Sequence, residues 1–243
     1  MMRKFIAAAA VLSGSVATSA CGQMHHEGAG PTVSRSYQVR NFQEIEVAGP
    51  YEVSVRTGSN PSVSAQGSEK LLENTIVEVK GDKLLIHPQE HHGFSWGWGH
   101  SGKANFTVTV PQLAGASIAG SGDIRVDHVR GDRFAGEVAG SGGLNVDTIE
   151  VGSLKLSIGG SGSAKAGAGR AQSADYSIAG SGDIDAGAVQ LQQAKVSIAG
   201  SGSVKAHSSG TADVSIMGSG DVDVSGGAKC SVSKAGSGDV RCS

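Results

Sequence analysis

The tripeptide Gly-Ser-Gly occurs seven times in the second half of the chain, starting at Gly120, Gly140, Gly160, Gly180, Gly200, Gly218 and Gly236. The starts are evenly spaced as far as Gly200, and the last two steps are each shorter by a pair of residues. A period this regular specifies a stack of like units, each completed by its neighbour because none can bury its own apolar face. Glycine makes up 38 of the 243 residues, more than twice the usual ~7%, and aromatic residues only 4%. So few large side chains cannot fill a wide globular core, but a thin core of Ala, Val and Ile remains open to the chain.

Aligning the units on the tripeptide shows what each contributes. Two residues before the first glycine stand Ile118, Val138, Ile158, Ile178, Ile198 and Ile216. Four before it stand Ala116, Gly136, Leu156, Tyr176, Val196, Val214 and Val232. Two past the second glycine stand Ile124, Leu144, Ala164, Ile184, Val204, Val222 and Val240. The positions between are mostly Ser, Asp, Lys, Arg or Glu. This period of two predicts strands with one buried face. Each unit is expected to hold two short strands joined by a Gly-Ser-Gly corner, where glycine lets backbones bend and approach closely. Counterparts in successive units then pair in parallel. The expected fold is an all-β, single-domain parallel β-helix (a β-solenoid) with turns about 4.8 Å apart. Its hand is expected to be right, as for nearly all parallel crossovers.

The same pattern reaches the first half. Val47-Ala48-Gly49-Pro50-Tyr51-Glu52-Val53-Ser54-Val55 matches Ile118 to Val126 in character, position by position. The first half therefore reads as earlier, more decorated turns. Strands are expected at Glu44–Val47, Glu52–Arg56, Ser62–Gln66, Thr75–Lys80, Lys83–His87 and Asn105–Val110. One domain over 37–243 is expected, with irregular turns over 37–113, a loop at 88–102 and regular repeats over 114–243. Two domains is the alternative.

Cys230 stands six residues before its tripeptide, in a column with Ala114, Phe134, Leu154, Ala174, Ala194 and Ala212, and Cys242 four after it, in a column with Val126, Val146, Ala166, Ala186, Ala206 and Val224. Both columns are expected to face inward, with the two cysteines on either side of the corner of the last unit. A disulfide between them would pin the open end of the stack, with about 3 kcal/mol expected from loop entropy. Lys234 stands where the isoleucine column would continue, so that column stops there.

Residues 1–20 read as an export signal: Arg3 and Lys4, then an apolar run from Phe5 to Ala17, then small residues up to Cys21. The run is too short for a comfortable membrane span. The segment resembles a bacterial lipoprotein signal, which implies lipid on Cys21 and a membrane partner through that lipid. The alternative is cleavage near Ala20 and a soluble secreted protein. Lipidation would leave Cys230 and Cys242 as an even pair in an oxidising compartment. Residues 21–36 are polar and glycine-rich and are expected to form a flexible tether, His25 and His26 included.

The repeated Ala-Gly-Ser-Gly-Asp-Ile units follow the opening Asn41-Phe42-Gln43-Glu44-Ile45-Glu46-Val47-Ala48-Gly49. Between them lie Gly81-Asp82-Lys83-Leu84-Leu85-Ile86 and Phe106-Thr107-Val108-Thr109-Val110-Pro111. In this order they resemble the head GIN domain family, grouped with auto-transporter adhesins of the bacterial envelope. The resemblance covers about Asn41 to Asp239. It implies a β-helical fold and an exported or lipid-anchored location, as an outer-membrane lipoprotein or a periplasmic or cell-surface protein. It carries over no catalytic residues. No transporter barrel accompanies the repeat, so self-export is not expected.

The sharpest break in the pattern lies between Pro88 and Gly102. Phe94, Trp96 and Trp98 alternate there with small residues, and on a continued strand their rings would share one face. Such a face suits a sugar, a peptide or a protein partner; the competing reading is a loop folded back to cover the stack. His91, His92 and His100 match no standard metal spacing, and no metal or other cofactor is assigned. Asp123, Asp183, Asp221 and Asp239 follow their corners one residue too early for a calcium-binding repeat roll. The corner serines have no recurring histidine to act as base, so nucleophilic catalysis is not indicated. Acids (22) slightly outnumber bases (20), and no basic run supports nucleic-acid binding. The expected function is non-enzymatic binding or adhesion at the envelope, to a glycan or a protein. The alternatives are a structural or assembly scaffold, with homo-association, and, less favoured, a polysaccharide-active enzyme.

Overall fold

The computed structural model describes residues 31–89 and 103–243. Cys21, His25, His26 and the segment with His91, His92, Phe94, Trp96, Trp98 and His100 lie outside the described residues. The chain runs β1 (Thr32–Tyr37), β2 (Glu44–Ala48), β3 (Glu52–Thr57), β4 (Ser62–Ser68), a five-residue helix α1 (Glu69–Glu73), β5 (Thr75–Lys80) and β6 (Lys83–Pro88). It continues β7 (Ala104–Val110), β8 (Gly115–Gly120), β9 (Asp123–Gly140), β10 (Gly143–Gly160), β11 (Ser163–Ala166), β12 (Gly169–Gly180) and β13 (Asp183–Gly200). It ends β14 (Ser203–Gly218), β15 (Asp221–Ser225), β16 (Lys229–Gly236) and β17 (Val240–Cys242). All six strands expected in the first half are present, their ends within two residues of the expected places.

The second half is a β-solenoid. β9 pairs with β10, β10 with β11 and β12, and these with β13, always in parallel and at one constant offset. Thus Asp123 pairs with Gly143, Gly143 with Ser163, and Ser163 with Asp183. The register joins like to like: Ile158 lies beside Ile178, and Ile178 beside Ile198. The match between the two halves is a true ladder, with Val47 paired to Ile118 and Val53 to Ile124.

The expectation of two short strands per unit is corrected. β9, β10 and β13 each run 18 residues without a break. Within them the inward parity shifts twice: in β10, Leu144 and Val146 are buried, then Ile149 and Val151, then Leu154, Leu156 and Ile158. A strand keeps its parity while flat, so each shift marks a bend. Each turn therefore has three sides. The first precedes the Gly-Ser-Gly corner, the second follows it, and the third spans about 148–153 and its equivalents. The shorter step arises on the third side. There β14 skips three residues of β13 between Ala186 and Gln190 and regains one between Leu191 and Gln193.

Close stacking explains the corner glycines. Gly200 has φ +137°, and a Cβ there would overlap the Gly180 carbonyl oxygen. A Cβ on Gly202 would overlap the Gly182 oxygen in the same way. Ser201 N donates to Gly180 O at 2.9 Å, so the ladder passes through the corner between turns.

One apolar cluster runs the length of the stack, from Phe42 to Val224. The turn that begins at Ser163 has alanine at inward positions 164, 166, 171 and 174, and Tyr176 supplies its bulk. Large and small residues thus share each layer, as a thin core requires.

The two ends differ. At the N-terminal end the chain departs from the coil: β4 pairs antiparallel with β1 and β7, and β5 antiparallel with β6. Residues 32–36, expected in the tether, form most of β1. α1 follows β4 and buries Leu71 and Leu72. At the C-terminal end β16 and β17 pair only backward, with β14 and β15. Cys230 and Cys242 are disulfide-bonded there, their Cα atoms 6.6 Å apart. Lys234 takes the place opposite Ile216, and its Nζ donates to Gly238 O at 2.6 Å. Val232, on the same strand, is 47% exposed.

Candidate functional site

The outer faces carry charge in columns. On the second side Lys165, Asp185, Lys205, Asp223 and Arg241 are successive partners. On the first side Lys155, Asp175, Lys195 and Asp213 are successive partners. Alternating signs avoid like-charge neighbours, and exposed pairs of this kind are each worth about 0–1 kcal/mol. The aspartates after the corners have a local role. Asp183 Oδ1 accepts from Ser203 N and Oγ, and Asp221 Oδ1 from Asp239 N at 2.8 Å. Each secures the backbone of the next turn. Among the described residues no group of three His, Cys, Asp or Glu comes together as a metal site. His128 and His207 both lie on the third side, and His207 Nδ1 is 3.0 Å from Ser225 Oγ.

The third side differs from the other two. It carries a groove of about 890 Å³ that runs along the stack and is lined by Arg130, Glu150, Arg170, Gln172, Gln190, Gln192 and Ser209. Gly131, Val151, Ala171 and Leu191 form its floor. The ladder sets this arrangement, because Arg130 pairs with Glu150, Glu150 with Arg170, and Arg170 with Gln190. From the turn of Arg130 to that of Ser209 is four steps, about 19 Å. A second hollow of about 480 Å³ shares Arg130 and Gly131 and adds Thr57, Gln112 and His128. Its far wall is fixed by Thr57, whose N–H donates to Asp127 Oδ1 at 3.0 Å and whose hydroxyl donates to His128 O at 2.8 Å.

Within the groove Arg130 donates twice to Glu150 Oε2, from Nε at 2.9 Å and from Nη2 at 2.6 Å. That hydrogen bonding, then the charge of Arg130, holds the Glu150 carboxyl below the usual carboxylate range, with a smaller push from Arg170. The Arg170 side chain makes no hydrogen bond or ion pair among the described residues. The lining carries two guanidinium groups and one carboxylate, a net charge of +1 on a chain whose net charge is −2. Elsewhere, Glu78 is held low by Lys80 and then by His87. The hydrogen bond from Lys83 to Glu46 raises the Lys83 ammonium pKa. These groups lie in and beside the β5–β6 hairpin, away from the groove.

The alignment on Gly-Ser-Gly located the Cys230–Cys242 pair and missed the groove. It extended only six residues before the tripeptide and four after it, and the third side lies between those limits. The signal was present as Arg130, Glu150, Arg170 and Gln190, which recur at the same even step as the corners.

No helix among the described residues is long and apolar enough to cross a membrane. Several solved structures share the fold. One is described as a putative adhesin from Bacteroides fragilis NCTC 9343, with TM-score 0.77 and 22% identity over 87% of this chain and 97% of that one. A putative lipid binding protein from Parabacteroides distasonis ATCC 8503 gives TM-score 0.69 and 23% identity, over 88% of this chain and 97% of that one. A putative adhesin from the same organism gives TM-score 0.70 and 23% identity, over 89% and 98%. No curated protein matches the sequence. Residues 41–228 match the family described as "putative auto-transporter adhesin, head GIN domain", and the chain belongs to that family.

Proposed function

We propose that the protein is a non-enzymatic binding module of the bacterial envelope whose third-side groove receives a linear partner. The observation that carries this is the shape of the site: an open trough about 19 Å long, aligned with the stack and lined from the same rung positions in successive turns. A small-molecule site is normally a closed pocket that engulfs its ligand, whereas an open trough suits a segment of a longer chain. The acid of the groove also fits binding better than catalysis. Glu150, the one carboxylate among the lining residues, is paired to Arg130, whereas glycoside hydrolysis needs two carboxyl groups flanking the bond. The lipid-binding description of one structural relative is not carried over, because charged and amide groups line this groove.

The test is sedimentation of the purified protein with envelope fragments of the producing bacterium. Gln172→Trp combined with Gln190→Trp narrows the groove at two exposed positions. It should weaken co-sedimentation about tenfold or more, on the scale of a lost binding hot spot. Lys195→Trp, on the first side, should leave it unchanged. Equal binding by all three proteins would rule out the groove. Phe94, Trp96 and Trp98 remain a proposed second contact.

Lipid on Cys21 would hold the module at a membrane, with 22–31 as spacer. Cys21→Ala should then move the protein from the detergent phase to the aqueous phase in phase-separation assays. An unchanged partition would exclude the anchor. The scaffold alternative, stacking of copies end to end, is disfavoured by the two ends. At one the coil gives way to antiparallel strands that do not continue the parallel register, and the other carries Lys229 and Lys234 on its edge strand, a standard guard against edge pairing.

A further inference from the structure

We infer that the third-side groove selects a linear glycan that places one carboxylate in it, with Arg170 as the residue that takes the carboxylate. The inference rests on the groove being a binding site, as proposed above, and adds the chemistry of what it binds.

Charge is the first argument. Arg130 is already committed, with two donors on Glu150 Oε2. Arg170 occupies the next rung, with Glu150 on one side and Gln190 on the other, and its guanidinium has no hydrogen bond or ion pair among the described residues. A guanidinium with its planar fork of donors free is matched best by a carboxylate or phosphate. The net charge of the lining disfavours a multiply charged phosphate, and a carboxylate is the simplest monoanion that fits the fork. One excess positive charge is neutralised by a monoanion. A phosphate carrying more than one negative charge would leave a surplus beside Glu150.

The neighbouring groups favour a sugar chain over an acidic peptide. Gln172, Gln190 and Gln192 are exposed amides, each both donor and acceptor, and so suited to hydroxyls of either hydrogen-bonding sense. A peptide would be expected to add as a strand. Around Glu150 and Arg170 the backbone of the third side is paired to the turns above and below, so no strand edge is open there; at Arg130 the strand has a neighbour on one side alone. Spacing is the last argument. The rungs are about 4.8 Å apart and follow one another in a straight row, so the groove suits an elongated ligand.

The experiment is a binding array of linear uronic-acid oligosaccharides, their neutral methyl esters, polyglutamate and inorganic phosphate, read with the whole protein. At least one uronic-acid series should bind, with its methyl esters weaker by about tenfold or more, the scale of a charge-assisted hydrogen bond. Arg170→Gln should reduce binding of the acid to the level of the ester, while Arg125→Gln on the second side should not. Added phosphate should compete poorly. Equal binding of acid and ester, or an Arg170→Gln variant that binds as well as the parent, would overturn the carboxylate assignment. If the tryptophan variants still lost envelope binding, the groove itself would stand. Preference for polyglutamate would replace the glycan with an acidic peptide, and binding to none of the probes would also overturn the inference.

Discussion

Tyr176 is sealed completely inside the middle of the stack, and its hydroxyl has no hydrogen-bond partner among the described residues. Burial pushes its phenol pKa far above the usual value. Tyr51 is buried as well, but its hydroxyl lies 3.0 Å from Thr75 Oγ1, which donates onward to Leu71 O at 2.7 Å. An unpaired buried hydroxyl loses its water without replacement, whereas a paired one contributes a net bond. Tyr176→Phe should therefore raise the free energy of unfolding by about 1 kcal/mol, and Tyr51→Phe should lower it by about as much. Denaturant titration of the two variants checks this; a destabilised Tyr176→Phe would mean that the hydroxyl has an unseen partner. The sequence marks Tyr176 as an inward residue, because its column is regular. It could not mark the missing partner, which depends on the residues around the ring in three dimensions.

At the level of elements, the last turn is where a single bond matters most. β16 and β17 have a neighbour on one side only, and the Cys230–Cys242 bond closes a short loop across them. Replacing both cysteines by serine should cost about 3 kcal/mol, and the loss should stay local because each turn of such a stack contacts only its neighbours. Hydrogen exchange should speed up in residues 229–242 and remain slow in β10 and β13. Uniform loss of protection would show instead that the disulfide holds the whole fold. The cysteines were legible because they sit in columns that six earlier units define. The third side was less legible. It has only two inward positions per turn, too few to show alternation, and the shortening of the step falls within it and blurs the alignment. β1 was hidden for another reason. Val33, Arg35 and Tyr37 alternate properly, but the glycine-rich residues before them made the whole segment read as tether. Nor does any repeat announce that β1, β4 and β5 run antiparallel.

For the whole molecule, the period alone specified a parallel stack, and the structure adds what a period cannot carry: a beginning, an end and a groove. The N-terminal strands turn back on the coil and close it. The far end relies on a crosslink and on Lys234 bonded to Gly238 O. Between them, the register from β9 to β13 keeps one constant offset, with like residues in the inward columns. Genetic exchange between one Gly-Ser-Gly and the next would remove or add a whole rung and still join each column to its own kind. The gene can thus lengthen or shorten its product in equal increments without passing through a misfolded intermediate. Each such event would also lengthen or shorten the third side by about 4.8 Å. Reach, in this architecture, is a heritable integer.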